Sequence, residues 1–388
     1  MNLKNTLYLL TPIMLLILFS CNKNSNKTIN NTFFTKEYII EIMEKSCDWQ
    51  LANLDSIGRF AIGVTEPVPD NGWVRGSFFT GVMATYNTTG QERFLNAAIN
   101  LGKKNNWEPG ERPRHADDHC IIQTYAKVYF ETKVDSVIEP SEQLFDSISK
   151  LPYLSKNVGW GHDRNWSWSD ALFMAPPAWA MMAKATGKED YLDVMDAMWW
   201  DTYNHLYDDS EDLFYRDDRY KVRENFEARM TSNGKKVFWG RGNGWVLGGL
   251  VRLLDYLPED YPTRGKYESV FKKMSAKLIE LQGEDGLWRS SLIDFEEFPS
   301  PESSSTGFFC YGLAWGINNG LLDEQTYLPA VKKAWNGLNW AMNDNGKLGY
   351  VQLIGHDPKE VTKHDNMEYG TGAFLLAGSE MYKLTTNK

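Results

Sequence analysis

The chain has 388 residues, of which 42% are apolar and 24% are charged, so it can bury a substantial core and is not disordered throughout. Its 51 acidic and 41 basic residues leave a net charge of −10, which argues against a nucleic-acid-binding protein, because such a protein presents a basic face to phosphate groups. Aromatic residues make up 14% of the chain, with 15 tryptophans, which fits either a large aromatic core or a cleft that stacks on sugar rings.

The N-terminus predicts a targeting segment over residues 1–20. Lys4 precedes an apolar run over residues 7–19, which is too short to span a bilayer as a stable helix. The run ends in a stretch that resembles a bacterial lipobox, in which Cys21 is lipidated and becomes the mature N-terminus. We therefore predict a flexible tether over residues 21–34 and a lipid anchor as the only membrane contact. We expect a bacterial membrane, in our interpretation the outer one, and leave its periplasmic or cell-surface face open.

From about residue 35 the chain predicts helices separated by short loops, in one all-α domain over residues 35–388. Strand-like alternation is scarce, and apolar residues recur at helical spacing. Helices are predicted over residues 33–53, 77–86, 121–130, 171–186, 190–206, 244–257, 267–282, 307–320, 327–342 and 370–384.

A weak internal repeat indicates how these helices are connected. Helices are expected to end at Gly90 and at Gly187, each acting as a left-handed cap, and a charged turn then leads into the next helix. Repeated helical hairpins form either an open solenoid or a closed toroid. The long aromatic loops between the hairpins favour a closed α/α barrel with the loops on one face.

The remaining cysteines, Cys47, Cys120 and Cys310, are an odd number at wide spacing. This pattern predicts buried free thiols and neither a disulfide framework nor a metal site. A nucleophilic Cys120 beside His119 is an alternative, although sequence neighbours point in different directions on a helix.

The densest cluster of polar and aromatic residues lies within residues 157–177. Asp170 opens an apolar helix there, so its side chain is either a helix cap or, if Ser169 caps instead, a carboxyl group among tryptophans. Burial against indole rings raises the pKa of a carboxyl group, which suits a general acid. Trp168 and His162 are candidate substrate contacts beside it.

A second candidate cluster covers residues 112–120. Asp117 and Asp118 are either helix caps or a second carboxylate that faces Asp170, with arginine and histidine residues, His115 among them, binding an anion. A metal site is a third alternative, but the histidines and aspartates lack a recognised ligand spacing, so we predict no metal.

Two further stretches complete the candidates. Residues 238–245 contain three glycines with Trp239, Arg241 and Trp245. They form either a close-packed turn or a site where Arg241 meets a sugar carboxylate and indoles stack on the ring; the pattern matches no nucleotide-binding fingerprint. Residues 212–220, which include Arg216, alternate charges with aromatics and form either a solvated loop or a substrate contact.

Together these stretches resemble the unsaturated glucuronyl and galacturonyl hydrolases of glycoside hydrolase families 88 and 105, and most closely family 105. The motifs that carry the resemblance occur in family order over roughly residues 35–385: WSDALFMAPP at 168–177, WGRGNGW at 239–245, STG at 305–307 and GTGAFLLA at 370–377.

The resemblance implies an (α/α)6 barrel and a hydrolase that needs no cofactor. Its substrate carries a 4,5-unsaturated uronic acid at the non-reducing end, left there by a polysaccharide lyase. The enzyme hydrates this vinyl ether and does not displace at the anomeric carbon, unlike ordinary glycosidases. The family's proton donor falls on Asp170, and its second essential aspartate falls on the Asp117–Asp118 pair, where the distance to the next helix favours Asp118.

The resemblance also implies substrate contacts by Trp239, Arg241 and Trp245. Many relatives carry histidine where this chain has Arg216, and the added charge suggests an anionic, sulfated substrate such as an ulvan fragment. Two other classes stay open: a polysaccharide lyase on a similar toroid, and a non-catalytic glycan-binding protein that keeps the tryptophans without needing Asp170.

Overall fold

The structure is a computed structural model that describes residues 31–54, 68–150 and 166–386. The predicted signal peptide, Cys21, His162 and most of the tether lie outside the described residues. The helices are α1 (Lys36–Ala52), α2 (Trp73–Thr89), α3 (Glu92–Lys104), α4 (Ala116–His119), α5 (Ile122–Thr132), α6 (Glu139–Ser149), α7 (Ala171–Met174), α8 (Pro176–Thr186), α9 (Asp190–Leu206), α10 (Gly240–Leu254), α11 (Arg264–Glu280), α12 (Ser303–Asn318), α13 (Glu324–Ala341) and α14 (Glu368–Thr386). Two antiparallel strand pairs accompany them, β1 (Tyr207–Asp208) with β2 (Leu213–Phe214) and β3 (Trp288–Arg289) with β4 (Pro301–Glu302).

The long helices form two concentric rings. In the described part of the chain, α2, α5, α8, α10, α12 and α14 contact one another in a closed inner ring, α14 returning to α2. Six further helices, α1, α3, α6, α9, α11 and α13, pack outside this ring. This arrangement of six helical hairpins is the predicted all-α (α/α)6 barrel.

The residue pattern explains which helices lie inside. Nearly every residue of α10 and α12 is buried, whereas α3 buries only one stripe that includes Phe94, Ala98 and Leu101. Small residues let the inner helices approach closely: a Cβ on Gly81 would lie 2.7 Å from the carbonyl oxygen of Gly372. The inner ring therefore excludes larger side chains at these crossings.

Several local predictions are confirmed and others are corrected. Gly90 and Gly187 cap α2 and α8 with φ of 69° and 74°, as predicted. The helix predicted over residues 171–186 is two helices, because Pro176 has no amide hydrogen and starts a new one. The glycine-rich segment is the first turn of α10 and not a separate loop.

The described chain begins with a 3-10 turn, Asn31–Phe34, which packs against α1 and α13. The indole of Trp335 donates a hydrogen bond of 2.8 Å to the carbonyl of Phe33. The packed part of the chain thus starts before residue 35, and the predicted tether is too long by these residues. Within the described residues, no helix has the length and apolar character needed to cross a membrane.

Candidate active site

A cavity of about 390 Å³ opens at the N-terminal ends of the inner helices. Its walls come from the start of α2, α4, the segment before α8 that includes α7, the segment after β2, the start of α10 and the loop before α14. The lining residues are Trp73, Asp117, Trp168, Asp170, Met174, Arg216, Trp239, Arg241, Ile354, Gly355, His356, Asp357 and Lys359. Helix N-termini carry partial positive charge, so this end of the barrel favours an anion.

Asp170 lies in the wall of this cavity and is only 8% exposed. It precedes α7, but its side chain makes no capping hydrogen bond to the helix, so the cap interpretation is wrong. The hydroxyl of Ser169 donates to its Oδ2 at 3.2 Å, and Nε of Arg216 lies 3.6 Å from the same oxygen. Burial raises the pKa of Asp170, while Arg216 and Arg241 oppose the rise.

Asp117 is the second carboxyl group in the cavity wall. The pKa of Asp117 is raised to about 7: burial is the largest cause, the charges of Asp170 and Asp118 add to it, and the charges of Arg112 and Arg216 oppose it. Two carboxyl groups that face one cavity and are both hard to ionise suit an acid and a base working as a pair.

Asp118 is turned away from the cavity. Its Oδ2 accepts the backbone N–H of Arg112 at 2.7 Å, and its Oδ1 accepts Nη2 of the same arginine at 2.6 Å. Nε of Arg112 also donates to Oδ2 at 3.1 Å, so three donors of one residue hold this carboxylate and close the loop before α4. The structure therefore brings Asp117 and Asp170 together and corrects our preference for Asp118.

Arg241, one of the two arginines in the cavity wall, is fixed by its neighbours. Arg241 is 1% exposed, and its Nη1 and Nη2 donate to the carbonyls of Gln352 and Leu353 at 2.8 and 2.9 Å. Its guanidinium also lies over the ring of Trp239, 4.3 Å from the centroid. Arg241 thus supplies positive charge to the wall while its two terminal nitrogens fasten a loop, and its contact with a sugar carboxylate stays a prediction.

The predicted tryptophans separate into wall and core. Trp168 and Trp239 line the cavity, as does Trp73, which sequence reasoning missed. Trp245 is fully buried and packs against Phe173 and Phe308 behind the wall. The prediction that Trp245 contacts substrate is therefore wrong, because α10 turns this side chain into the barrel.

Comparison with known proteins identifies the scaffold. The model of glycosyl hydrolase family 88 matches residues 42–385 of the chain. The chain belongs to this family. It is a glycoside hydrolase, and the family resemblance stated from the motifs is confirmed, although the finer preference for family 105 stays a prediction.

The chain is also similar to three individual proteins. A protein of Formosa agariphila named unsaturated 3S-rhamnoglycuronyl hydrolase is 40% identical over 353 residues, covering 88% of this chain and 90% of that protein. A solved family 88 glycosyl hydrolase from Bacteroides vulgatus superposes with a TM-score of 0.79 at 30% identity, covering 90% of this chain and 99% of that one. A solved structure described as a polysaccharide lyase gives a TM-score of 0.80 at 28% identity, covering 91% and 99%.

The histidines and cysteines of this family 88 chain that the structure describes have separate roles. His115 lies beside two residues of the cavity wall, its ring 4.8 Å from that of Trp168 and its Nδ1 3.8 Å from Oδ2 of Asp117. His119 is buried in the core, where burial lowers its pKa to about 4. Cys120 is buried too, and burial raises its thiol pKa, which argues against a nucleophilic role. Cys47 and Cys310 are also buried free thiols, as predicted.

Metal binding was predicted to be absent. In the described ranges 31–54, 68–150 and 166–386, no group of three or more His, Cys, Asp and Glu side chains is placed to hold a metal ion. The absence of a cofactor stays a prediction.

One wall of the family 88 cavity was not predicted. The loop before α14 contributes Ile354, His356, Asp357 and Lys359. Gln352 anchors this loop, since its Oε1 accepts the indole N–H of Trp239 at 2.9 Å and its Nε2 donates to the carbonyl of Asp357 at 2.7 Å. In the sequence, this segment shows only a polar run without helical periodicity. Any surface loop shows the same pattern, so it does not indicate a place in the site.

Proposed function

We propose that this enzyme removes a 4,5-unsaturated uronic acid from the non-reducing end of oligosaccharides that a polysaccharide lyase has produced. The observation that carries the proposal is the buried carboxyl group of Asp170, with a raised pKa, facing a cavity that Asp117 shares. The name of the Formosa agariphila relative supports the substrate class.

The proposed reaction is hydration of the C4=C5 vinyl ether. Protonated Asp170 gives its proton to C4, and positive charge develops at C5 and the ring oxygen. Water adds at C5 while Asp117 takes a proton from it, which balances the proton that Asp170 released. The hemiketal then opens: the C5–O5 bond breaks as the C5 hydroxyl proton passes to O5, which leaves a ketone at C5 and a hemiacetal at C1. The hemiacetal in turn breaks its C1–O bond to the aglycone, which forms an aldehyde at C1 and passes the C1 hydroxyl proton to the aglycone oxygen.

The charges of the cavity suit this substrate. The uronate carboxylate is expected near Arg216 and Arg241, where the N-terminal ends of the inner helices add positive potential. Trp168, Trp239 and Trp73 give apolar walls for the sugar ring. A neutral acid beside two guanidinium groups is maintained by burial, which outweighs their opposing effect on its pKa.

We further propose that the sugar next to the uronate is a sulfated rhamnose, as in ulvan fragments. Two points support this: the name of the Formosa agariphila relative, and the positive charge of Arg216, which lines the same cavity as His356 and Lys359. The idea fails if a desulfated disaccharide is cleaved as fast as the sulfated one.

The N-terminal sequence supports a second proposal, that Cys21 carries a lipid anchor in the outer membrane. Replacing Cys21→Ala in the full chain is expected to move the protein from the membrane fraction to the soluble fraction. Equal membrane association of both proteins would contradict the anchor.

The first experiment follows the ultraviolet absorbance of the conjugated C4=C5 carboxylate. The protein is incubated with lyase-generated fragments of ulvan and, separately, of rhamnogalacturonan. A falling signal supports hydration, and the faster substrate identifies the polymer. A flat signal on every fragment with retained binding would indicate a glycan-binding protein.

The same assay tests a lyase as the second candidate, which the solved structure described as a polysaccharide lyase favours. A lyase creates the double bond that a hydrolase consumes. A rising signal on intact polymer would therefore replace the proposed reaction.

A further inference from the structure

Asp217 is a fully buried carboxylate that lies behind the cavity wall and does not line it. It binds two arginines at once. Its Oδ2 accepts Nη1 of Arg216 and Nη2 of Arg219, each at 2.8 Å, and its Oδ1 accepts Nε of Arg219 at 2.8 Å. The backbone N–H of Arg219 adds a fourth bond of 3.0 Å. Four donors hold this carboxylate in one orientation.

Arg216 stands between this carboxylate and the proposed acid. While its Nη1 is bound to Asp217, its Nε faces Oδ2 of Asp170 at 3.6 Å. Within the described residues this Nε has no hydrogen-bond partner. The guanidinium is therefore oriented by Asp217, and one of its donors is left pointing toward the reacting carboxyl group.

The backbone ties the two segments together at the same place. The N–H of Ser169 donates to the carbonyl of Arg216 at 2.8 Å, and Trp168 forms an isolated antiparallel bridge with Asp217. Asp217 and Asp170 thus belong to neighbouring, hydrogen-bonded segments. A change in the charge of one segment acts directly on the other.

We propose that Asp217 is a positioning residue for the hydrolysis: it orients Arg216 toward Asp170 and offsets the charge that the guanidinium would otherwise impose on the acid. The proposal rests on the proposed function, in which Asp170 must hold a proton. A guanidinium without a counter-charge would favour the ionised form of Asp170, so Asp170 would lose its proton at a lower pH.

Other charged or titratable groups also face Asp170. These are Asp117 from α4, Arg241 from α10 and Tyr369 from α14, while His356 of the loop before α14 interacts electrostatically with Arg216 and Asp217. None of them hydrogen-bonds to Asp217 among the contacts of the described residues, so a substitution at Asp217 leaves them in place. A change in the pH profile of kcat/KM would then reflect a changed effect of the Arg216 guanidinium on Asp170.

The test is the pH profile of kcat/KM for Asp217→Asn, measured by loss of the unsaturated-uronate absorbance. Asparagine keeps the shape and removes the negative charge. We expect the alkaline limb, where Asp170 loses its proton, to move to lower pH by about one unit, because a nearby charge shifts a pKa by about one to three units. An unchanged limb with a lower melting temperature would overturn the proposal and leave Asp217 a structural residue.

Asp218 supplies the matched control. It is the next residue in the chain and also binds an arginine, with Arg223 Nη1 and His205 Nε2 both 2.7 Å away, but it does not line the cavity. Asp218→Asn is expected to leave the pH profile of kcat/KM in place. A shift equal to that of Asp217→Asn would mean that general charge, and not the contact with Arg216, sets the profile.

A second variant keeps the proposal testable if Asp217→Asn does not fold. Arg219→Gln removes one of the two positive charges that Asp217 offsets, so the carboxylate then offsets the charge of Arg216 alone. The alkaline limb is therefore expected to move to higher pH, opposite to Asp217→Asn. No shift, or a shift to lower pH, would contradict the proposal. Asp170→Asn in the same assay distinguishes failure of this inference from failure of the proposed function. If that variant stays active, the proposed function fails, whatever the other pH profiles show.

Discussion

Two buried carboxyl groups at opposite ends of the barrel have the same kind of raised pKa and different surroundings. Burial raises the pKa of Asp170 at the N-terminal ends of the inner helices and of Glu380 about three turns along α14. Glu380 accepts Nζ of Lys383 at 2.7 Å and Nδ2 of Asn318 at 2.8 Å, and it does not line the cavity. Asp170 faces open space and keeps an arginine at 3.6 Å. A raised carboxyl pKa therefore indicates burial alone. A protonated carboxyl group can act as an acid catalyst only where, as at Asp170, a cavity lets substrate reach it.

The largest expected effect comes from replacing each of these two carboxyl groups in turn. Asp170→Asn removes the proton that the reaction needs, so we expect kcat to fall by about 10³-fold. Glu380→Gln changes a carboxyl group of similar burial at the other end of the barrel, so kcat should stay within about twofold. Steady-state rates on the unsaturated substrate measure both. Equal losses would mean that Asp170 acts through the stability of the barrel.

The next effect compares the neighbouring Asp117 and Asp118. Asp117→Asn should lower kcat by about 10²-fold and abolish the acid limb of the pH profile, because the group with a pKa of about 7 is gone. In the wild type that limb falls as pH drops through this value, since the base becomes protonated. Asp118→Asn should keep the limb and instead lower the melting temperature, because Arg112 loses its partner. The reverse pattern would restore our original preference for Asp118.

The smallest effect concerns stability. The pKa of Asp117 is raised from 3.8 to about 7, so its neutral form favours the folded state, and this advantage is lost as pH rises through about 7. Asp117→Asn avoids that loss. We expect it to be more stable than the wild type by about 1–2 kcal/mol at pH 8, a value reduced for the exposed fifth of the side chain, and to show no gain near pH 4.

Thermal unfolding at both pH values measures this difference. Glu380→Gln offers the comparison, because it removes a buried carboxyl group that already has a cation and an amide as partners. It should gain less than Asp117→Asn at pH 8. A gain for Asp117→Asn that is the same at pH 4 and pH 8 would show that the carboxyl charge is not the cause.

The sequence predicted features that depend on neighbours in the chain. The glycine caps at Gly90 and Gly187, the helix Asp190–Leu206 and the position of Asp170 at a helix start follow from local chemistry. The motifs around Asp170 and Arg241 also indicated the family, because their residues are close together in sequence. These features survive in the structure because no distant contact overrides them.

Other features depend on rotation about a helix or on segments far apart in sequence, and only the tertiary structure decided them. Asp117 and Asp118 are neighbours in α4, yet Asp117 faces the cavity and Asp118 binds Arg112. One turn of α10 places Arg241 in the wall and Trp245 behind it. The loop around His356 lines the cavity because Trp239 and Arg241, which are distant in sequence, hydrogen-bond to Gln352 and Leu353 at its start. Composition and spacing indicated a closed α/α barrel and several residues of its site, and the family motifs implied its six hairpins. The directions of the side chains are set by packing across the ring, which no local pattern contains.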